Sequence, residues 1–309
     1  MEQCTPLVTV YLSSYNGVHY IAEQIDSILN QTGVKIRLCI RDDGSTDGTQ
    51  TILKKYENTS NIHIFYGKNM GYAKSFLWLV SHDPDFMDSD YFSFSDQDDV
   101  WLPQKLNAAC SMLRLFEKKT KPCLYVSALQ RVDENLNKLS LQSFSRLKLD
   151  VSAEFTRHRL AGCTFLMNQK LQELLRNCTE IRTQCSHDVL TTILCLSCGG
   201  EVCFDPNAYI LFRRHGKNAS SDNIGVIQKV CHDVCSFIKH KNQNRDLARE
   251  ILRKLEVHLV TDARSFLDTI SNYDSSWRKT CSLAFSDVLD CGFWYYNYFV
   301  RLMVLLRYY

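Results

Sequence analysis

The chain is poor in residues that interrupt regular structure, with 5 Pro and 12 Gly among 309 residues. No long linker, low-complexity tract or internal repeat is visible, which excludes collagen-like, linker-dominated and solenoid chains. An excess of one charge is lacking too. Lys and Arg number 36 against 34 Asp and Glu, a net charge of +2, so no global field points to nucleic acid or a membrane. The opening MEQCTPLVTVYL lacks the basic start and small-residue cleavage site of a secretory signal, and a cytoplasmic protein is expected. The apolar C-terminal stretch GFWYYNYFVRLMVLLRYY is interrupted by Arg301 and Arg307, which makes it a poor membrane span. Neither G-x-G-x-x-G after the first strand nor a P-loop signature occurs, which argues against dinucleotide and P-loop sites.

Cysteine is the opposite case, with 14 residues scattered along the chain. Without an export signal they are expected as reduced, mostly buried thiols. The run CLSC at Cys195–Cys198, near Cys203, lies in an apolar helical pattern with no second pair at finger spacing, which argues against structural zinc.

What is present begins with alternation. LVTVYLSS, VKIRLCIRDD, NIHIFYG and DYFSFSD read as strands, and YIAEQIDSILNQT, TQTILKKYEN and YAKSFLWLVSH read as the helices between them. Strands spaced by helices predict a mainly parallel sheet with helices on both faces. Such sheets bind ligands beyond the carboxyl ends of their strands. After Trp101 the rhythm changes. PQKLNAACSMLRLFEKK, QKLQELLRN and SHDVLTTILCL read as helices, the last capped by Ser186. CLYVSAL and QRVDEN read as a strand pair, GCTFLMN as a strand, and VCFDPNAYILFRRHG as strand material ending in a basic cluster. From about Asp222 onward the pattern is helical.

Polar residues concentrate where the first four strands end: Ser13 to Gly17, then Asp42 and Asp43 with GSTDGT, then Asn69 and Gly71, then SDQDD. Acids beyond two strand ends, beside glycine-containing loops on one sheet edge, point to a site. Clustered acids such as Asp96, Asp98 and Asp99 either solvate a turn or hold a cation. On an extended segment Asp96 and Asp98 point the same way and Asp99 elsewhere. The pair can then address one hard cation, magnesium or manganese, that completes its shell with water and substrate phosphates. A carboxylate also accepts from a ribose hydroxyl or a base N–H. Phospho-acceptor receiver domains carry paired acids as well, but this chain runs well past their length.

VTVYLSSYNGVHYIAEQIDSILNQT, IRDDGSTDGT, NMGYAKS and FSDQDDVWLPQKL resemble the motif series of glycosyltransferase family 2, the inverting enzymes of the GT-A fold. The order and spacing of SDQDDVWLPQKL, GCTFLMN, HDVL and RRHGKN are similar to the bacterial rhamnosyltransferase-like branch. The likeness spans about residues 7–219. It implies that Ser13 and Tyr15 line a nucleotide pocket, that Asp43 contacts the base with Asp42 beside it, and that Asp96 and Asp98 form the D-x-D motif for metal, ribose and diphosphate. It implies Asp188 as catalytic base, with His187 where other members carry Glu, and His215 as a late metal ligand. Asn69 and Arg213 complete the expected donor site. The residues taken singly have blander readings: Asp188 as a first-turn acid stabilising its helix, His215 and the Arg213–Arg214 pair as solvated, Gly162 as a turn residue, and Trp101 as packing under the metal loop.

The expectation is an α/β GT-A fold. Its catalytic domain runs over 1–219, with a nucleotide part at about 1–100 and an acceptor part at about 101–219, followed by a helical region at 220–309. The expected function is inverting, metal-dependent transfer of a sugar from a nucleotide-diphosphate donor, dTDP-rhamnose first, to a lipid-linked saccharide of a cell-surface polysaccharide. A UDP-hexose transferase and a catalytically silent sugar-nucleotide or glycan-binding subunit are the rivals. Magnesium or manganese is the expected cofactor, and nucleic acid is not an expected partner. The tail either lies at the membrane surface, on the inner face, or packs as a core helix.

Overall fold

A computed structural model describes residues 5–116, 120–142, 144, 147–181, 183, 185–215, 235 and 238–309. The expected boundary at 219–220 lies outside these residues. Strands β1 (Leu7–Ser14), β2 (Lys35–Asp42), β3 (Ile62–Tyr66) and β4 (Tyr91–Ser95) pair in parallel in the order β3-β2-β1-β4. Helices α1 (Ile21–Leu29), α2 (Thr49–Leu53) and α3 (Tyr72–His82) make the crossovers. Successive strand side chains point to opposite faces. Val8, Val10 and Leu12 accordingly share one apolar cluster with Ile21 and Ile25 of α1 and with Leu106 and Leu113 of α4 (Lys105–Phe116). Tyr11, Phe92 and Phe94 join the other, with Phe76 of α3 and Leu171 of α6 (Gln169–Asn177).

The sheet continues through β5 (Val100–Trp101), β6 (Cys123–Val132), β7 (Lys138–Leu141), β8 (Phe165–Asn168) and β9 (Glu201–Arg213). Here pairing is mixed: β8 runs antiparallel to β4 and β6, while β9 is parallel to β6 and antiparallel to β5. The parallel portion is thus the half formed by the first hundred residues. CLYVSAL and QRV are one strand, not a pair. The partner is β7, joined by a turn in which Asp133 accepts from the Asn135 and Asn137 amides and Leu136 adopts a φ of 65°. All four β7 residues are exposed, so no alternation marks them as a strand. A short helix, α5 (Val151–Thr156), is a further element without a sequence signal; Asp150 caps it by accepting from the Ala153 amide. In α7 (His187–Ser197), Ser186 occupies the N-cap position but its side chain makes no capping bond.

The C-terminal helices Gln243–Leu255, Thr261–Asn272, Trp277–Ala284 and Trp294–Leu305 belong to the same apolar cluster as α3, α6 and α7. The tail helix is buried on one face and exposed on the other. Val300, Val304 and Tyr309 are buried, whereas Trp294 (69%), Tyr298 (65%), Leu302 (50%) and Leu306 (52%) form an exposed stripe at four-residue spacing. Among the described residues no helix is long and apolar enough to cross a membrane.

Between β1, β2 and α6 lies a buried polar knot. Asp83 accepts from Arg37 Nη2 at 2.6 Å and from the Tyr11 hydroxyl at 2.8 Å, and Gln172 donates to that hydroxyl at 2.8 Å. Breaking a buried pair by removing one partner strands the other charge at a cost of about 3–5 kcal/mol. Asp83→Ala should lower the urea midpoint by a corresponding amount with little change in slope; an unchanged midpoint contradicts this reading of the knot.

Candidate active site

The parallel strands deliver their loops to one edge, and specific contacts weld those loops together. Gln97 of the β4 loop accepts from the Tyr15 amide at 2.8 Å and donates to the Tyr15 carbonyl at 3.0 Å, clamping the β1 loop. A Cβ on Gly17 would lie 2.3 Å from the Gln97 amide oxygen, so the clamp requires glycine there. Asn16, at a φ of 49°, accepts from the Thr46 amide, and Ser45 Oγ accepts from the Asn16 amide, which joins the β1 and β2 loops. Asp43 pairs with Arg41 and accepts from the Met70 and Gly71 amides at 2.9 Å, which joins the β2 and β3 loops.

The resulting cleft, about 530 Å³, is lined by Ser13, Tyr15, Asp43, Asn69, Asp96 and Asp98 and by Gly162, His187 and Asp188. Seven of the ten sequence-derived site residues therefore converge: Ser13, Tyr15, Asp43, Asn69, Asp96, Asp98 and Asp188. Asp42 does not line it. Buried, it accepts from the Ser45 amide and from Gln50, and so builds the turn. Arg213 does not either. Its guanidinium pairs with Glu23 at 2.5 Å, donates to the Asp98 and Glu134 carbonyls and lies over Tyr20. It holds the acidic loop from behind. His215, stacked on Tyr20, meets Asp98 Oδ2 through Nε2 at 2.8 Å.

Asp96 and Asp98 both line the cleft, but Asp99 does not turn away from Asp96 as the extended-segment reading expected. The segment after β4 is a turn, so the two-residue alternation of an extended strand lapses. Asp99 lies beneath the cleft, and ligand atoms of Asp96, Asp99 and Cys163 fall within 4.8 Å of one another. Burial and the neighbouring Asp98 and Asp188 carboxylates push Asp96 up to about 7. Burial, Asp98 and Asp96 also push Asp99 well up. Beneath them Lys105, pushed down to about 7 by burial, sits 3.6 Å over the Trp101 ring. Trp101 itself is buried under the acidic loop. Carboxylates that oppose each other's ionisation at a solvent-facing cleft fit a divalent cation, which removes that opposition. Cys195, by contrast, hydrogen-bonds the Glu201 carbonyl and joins no cluster of potential ligands among the described residues.

Asp188 stands in the first turn of α7, and its Oδ1 accepts from the Val189 amide. Its Oδ2 is 3.5 Å from His158 Nε2, and His158 Nδ1 is 2.5 Å from buried Glu154. Sequence reasoning missed both partners, although Glu154 and His158 stand four apart, one helical turn. His158 loses some protonation to burial, but Asp188 and Glu154 outweigh this and push it up to about 10. Against its own burial, His158 holds Asp188 well below the usual carboxylate range. His187 is buried between Phe76 and Phe94, with ring centroids at 4.0 and 4.6 Å, and neither nitrogen is bonded. Burial pushes it down to about 4. A Cβ on Gly162 would lie 2.5 Å from His187 Nε2, so Gly162 makes room for this ring.

The sequence profile of glycosyl transferase family 2 matches residues 9–179. The chain belongs to glycosyl transferase family 2. The dTDP-rhamnosyl transferase RfbG of Shigella flexneri is 28% identical over 227 residues, 71% of this chain and 76% of the relative. An uncharacterized glycosyltransferase of Rickettsia typhi is 32% identical over 174 residues, 54% of this chain and 52% of the relative. The chain thus spans about half the length of the first curated relatives it matches. Among solved structures, Staphylococcus aureus TarS 1-349 with UDP-GlcNAc aligns at a TM-score of 0.59, 17% identity, 91% of this chain and 76% of that one. The mannosyltransferase PcManGT of Pyrobaculum calidifontis, with GDP-Man and Mn2+, aligns at 0.53, 16% identity, 99% of this chain and 86% of that one. These likenesses establish the GT-A fold.

His158 and His187, which flank Asp188, should titrate in opposite senses. In 15N-edited NMR, His158 should remain an imidazolium through pH 8, and His187 should remain neutral down to about pH 5. A His158 that titrates near its ordinary value contradicts the contacts drawn here.

Proposed function

We propose that the chain is a metal-dependent, inverting glycosyltransferase that moves a sugar from a nucleoside-diphosphate donor to a saccharide acceptor. The observation that carries this reading is one cleft lined both by the strand-end loops with Asp96 and Asp98 and by Asp188, whose carboxyl is held low. Ser13, Tyr15, Asp43 and Asn69 would receive the nucleoside. Asp96 and Asp98, with His215 behind Asp98, would hold magnesium or manganese. That ion, when bound, supplies positive charge to the leaving diphosphate. Asp188 takes the proton of the acceptor hydroxyl as that oxygen bonds to the anomeric carbon and the bond to the diphosphate breaks. One base and direct displacement invert the configuration, with no second carboxylate as nucleophile.

The donor reading is dTDP-rhamnose, supported by the named activity of the Shigella relative; a UDP-hexose is the alternative within the same chemistry. A silent binding subunit would have no use for a base held ionised across from the donor loops. Turnover of dTDP-rhamnose, UDP-glucose and UDP-N-acetylglucosamine, with manganese, magnesium or EDTA and alkyl glycoside acceptors, tests the assignment. Asp188→Asn should leave donor affinity unchanged and reduce transfer by roughly a hundred- to ten-thousand-fold. Near-wild-type transfer by that variant removes Asp188 as the base.

The exposed aromatic stripe of the tail supports peripheral contact with the inner face of the cell membrane and a lipid-linked acceptor. Arg157 and Arg159 lie over Phe293 at 4.9 and 4.8 Å, immediately before Leu160 and Ala161, which line the cleft. The patch therefore adjoins the wall that carries Asp188. Trp294→Ser with Tyr298→Ser should release the protein from phosphatidylglycerol vesicles with the melting temperature little changed; undiminished vesicle binding contradicts this. Deleting 292–309 is a poorer test, because it removes the core residues Val304 and Tyr309.

A further inference from the structure

Asp188 needs an explanation that the rest of the cleft does not supply. It is a carboxylate facing Asp96, Tyr72, Cys185 and His187, all anionic or neutral. Burial by itself would push the Asp188 carboxyl toward its protonated form. A protonated carboxyl cannot accept a proton. Among the described residues, His158 is the cation that faces Asp188, at 3.5 Å. It is itself faced by Glu154, Asp188 and His187. Glu154 has a side chain 1% exposed and is reached by His158 Nδ1 at 2.5 Å.

We propose that His158, oriented by Glu154, is the positioning residue of the base: a carboxylate–imidazolium–carboxylate series that fixes the Asp188 carboxylate in place and in its ionised form. This rests on Asp188 being the base. A doubly protonated imidazole has no lone pair, so His158 does not relay the abstracted proton. The proton leaves the acceptor oxygen for Asp188 and then passes to solvent. The role of His158 is to orient the carboxylate and to hold its charge. A buried ion pair adds little net stability, and this one is placed where a fixed cation changes the state of a reacting group. The arrangement parallels a histidine held by one carboxylate while it serves another group, with the functional order reversed: here the outer carboxylate reacts. Asp188 also lies in the first turn of α7, where the helix dipole acts in the same direction as His158, by a smaller amount.

The test compares His158→Gln, Glu154→Gln, Asp188→Asn and the His158→Gln/Asp188→Asn pair. Two readouts are used: NMR titration of the ligand-free chains, and turnover of dTDP-rhamnose or UDP-N-acetylglucosamine with manganese and alkyl glycosides. Without substrate, Asp188→Asn and Glu154→Gln should each make His158 lose its proton at lower pH than in the wild type, because each removes an anion that faces it. In turnover, His158→Gln should lower kcat about tenfold or more, leave the donor KM within about twofold, and add less than about twofold to the loss already present in Asp188→Asn. Glu154→Gln, which keeps shape and an acceptor oxygen, should show a smaller loss of the same kind. If Asp188→Asn is inactive while His158→Gln is fully active, or if the two losses multiply independently, the positioning role is overturned and the base stands. If Asp188→Asn transfers sugar normally, the base and the role fall together. An unmoved His158 titration in both carboxylate variants overturns the series by itself, even if His158→Gln fails to fold.

Discussion

Like-charge repulsion between carboxylates governs this structure. Asp96, Asp98, Asp99 and Asp188 meet at one end of one sheet, and burial together with the neighbouring Asp98 and Asp188 pushes Asp96 up to about 7. The surrounding fold is organised around that strain. His215 supports Asp98, Arg213 holds the loop by its carbonyl, buried Lys105 lies below, and His158 answers Asp188. Asp96 and Asp98 line the cleft, and the chemistry proposed for them brings a cation with the substrate. The acid opposite carries its own. Under the proposed function the two carboxylate sites would have different tasks: one would bind a diphosphate complex and the other would take a proton.

Holding those acids requires a rigid edge, which is what a parallel sheet with short crossovers supplies. Three contacts convert four separate loops into one surface: the Gln97 clamp on Tyr15, the Asn16–Ser45–Thr46 pair and the Asp43 cradle for Met70 and Gly71. None is chemical in itself, yet each sets where a lining side chain stands. Asp43 belongs to both groups, since it lines the cleft while its carboxylate holds a neighbouring loop. Arg213 shows the same principle from outside, as a charged residue whose work is to fix the backbone that carries the acids.

The second half of the molecule has a different logic. Its mixed strands and the C-terminal helices share one apolar cluster with α3, α6 and α7, so the wall that carries Asp188 is braced from behind. The tail helix takes part in that bracing through Val300 and Val304 and presents the opposite, aromatic face outward. An amphipathic helix can do both because its buried and exposed stripes lie on different sides.

Much of this was legible in the residues. The alternating strand and helix patterns of the first hundred residues and the polar loops at four strand ends rest on local periodicity and spacing, and the structure places those loops on one edge as that pattern implies; the motif order through Asp188 rests on family resemblance. What failed were statements that required knowing where the chain bends. Asp99 lies with Asp96 because the acidic segment turns; QRVDEN ends in a turn because Asp133 captures its own downstream amides. What only the tertiary structure decided were encounters between residues far apart in the chain: Glu23 with Arg213, Asp98 with His215, and His158 with Asp188. A sequence fixes the period of each element through local sterics and apolar spacing. Which side chains meet across the cleft is set by how those elements pack, and a charged residue carries no mark of its partner until they do.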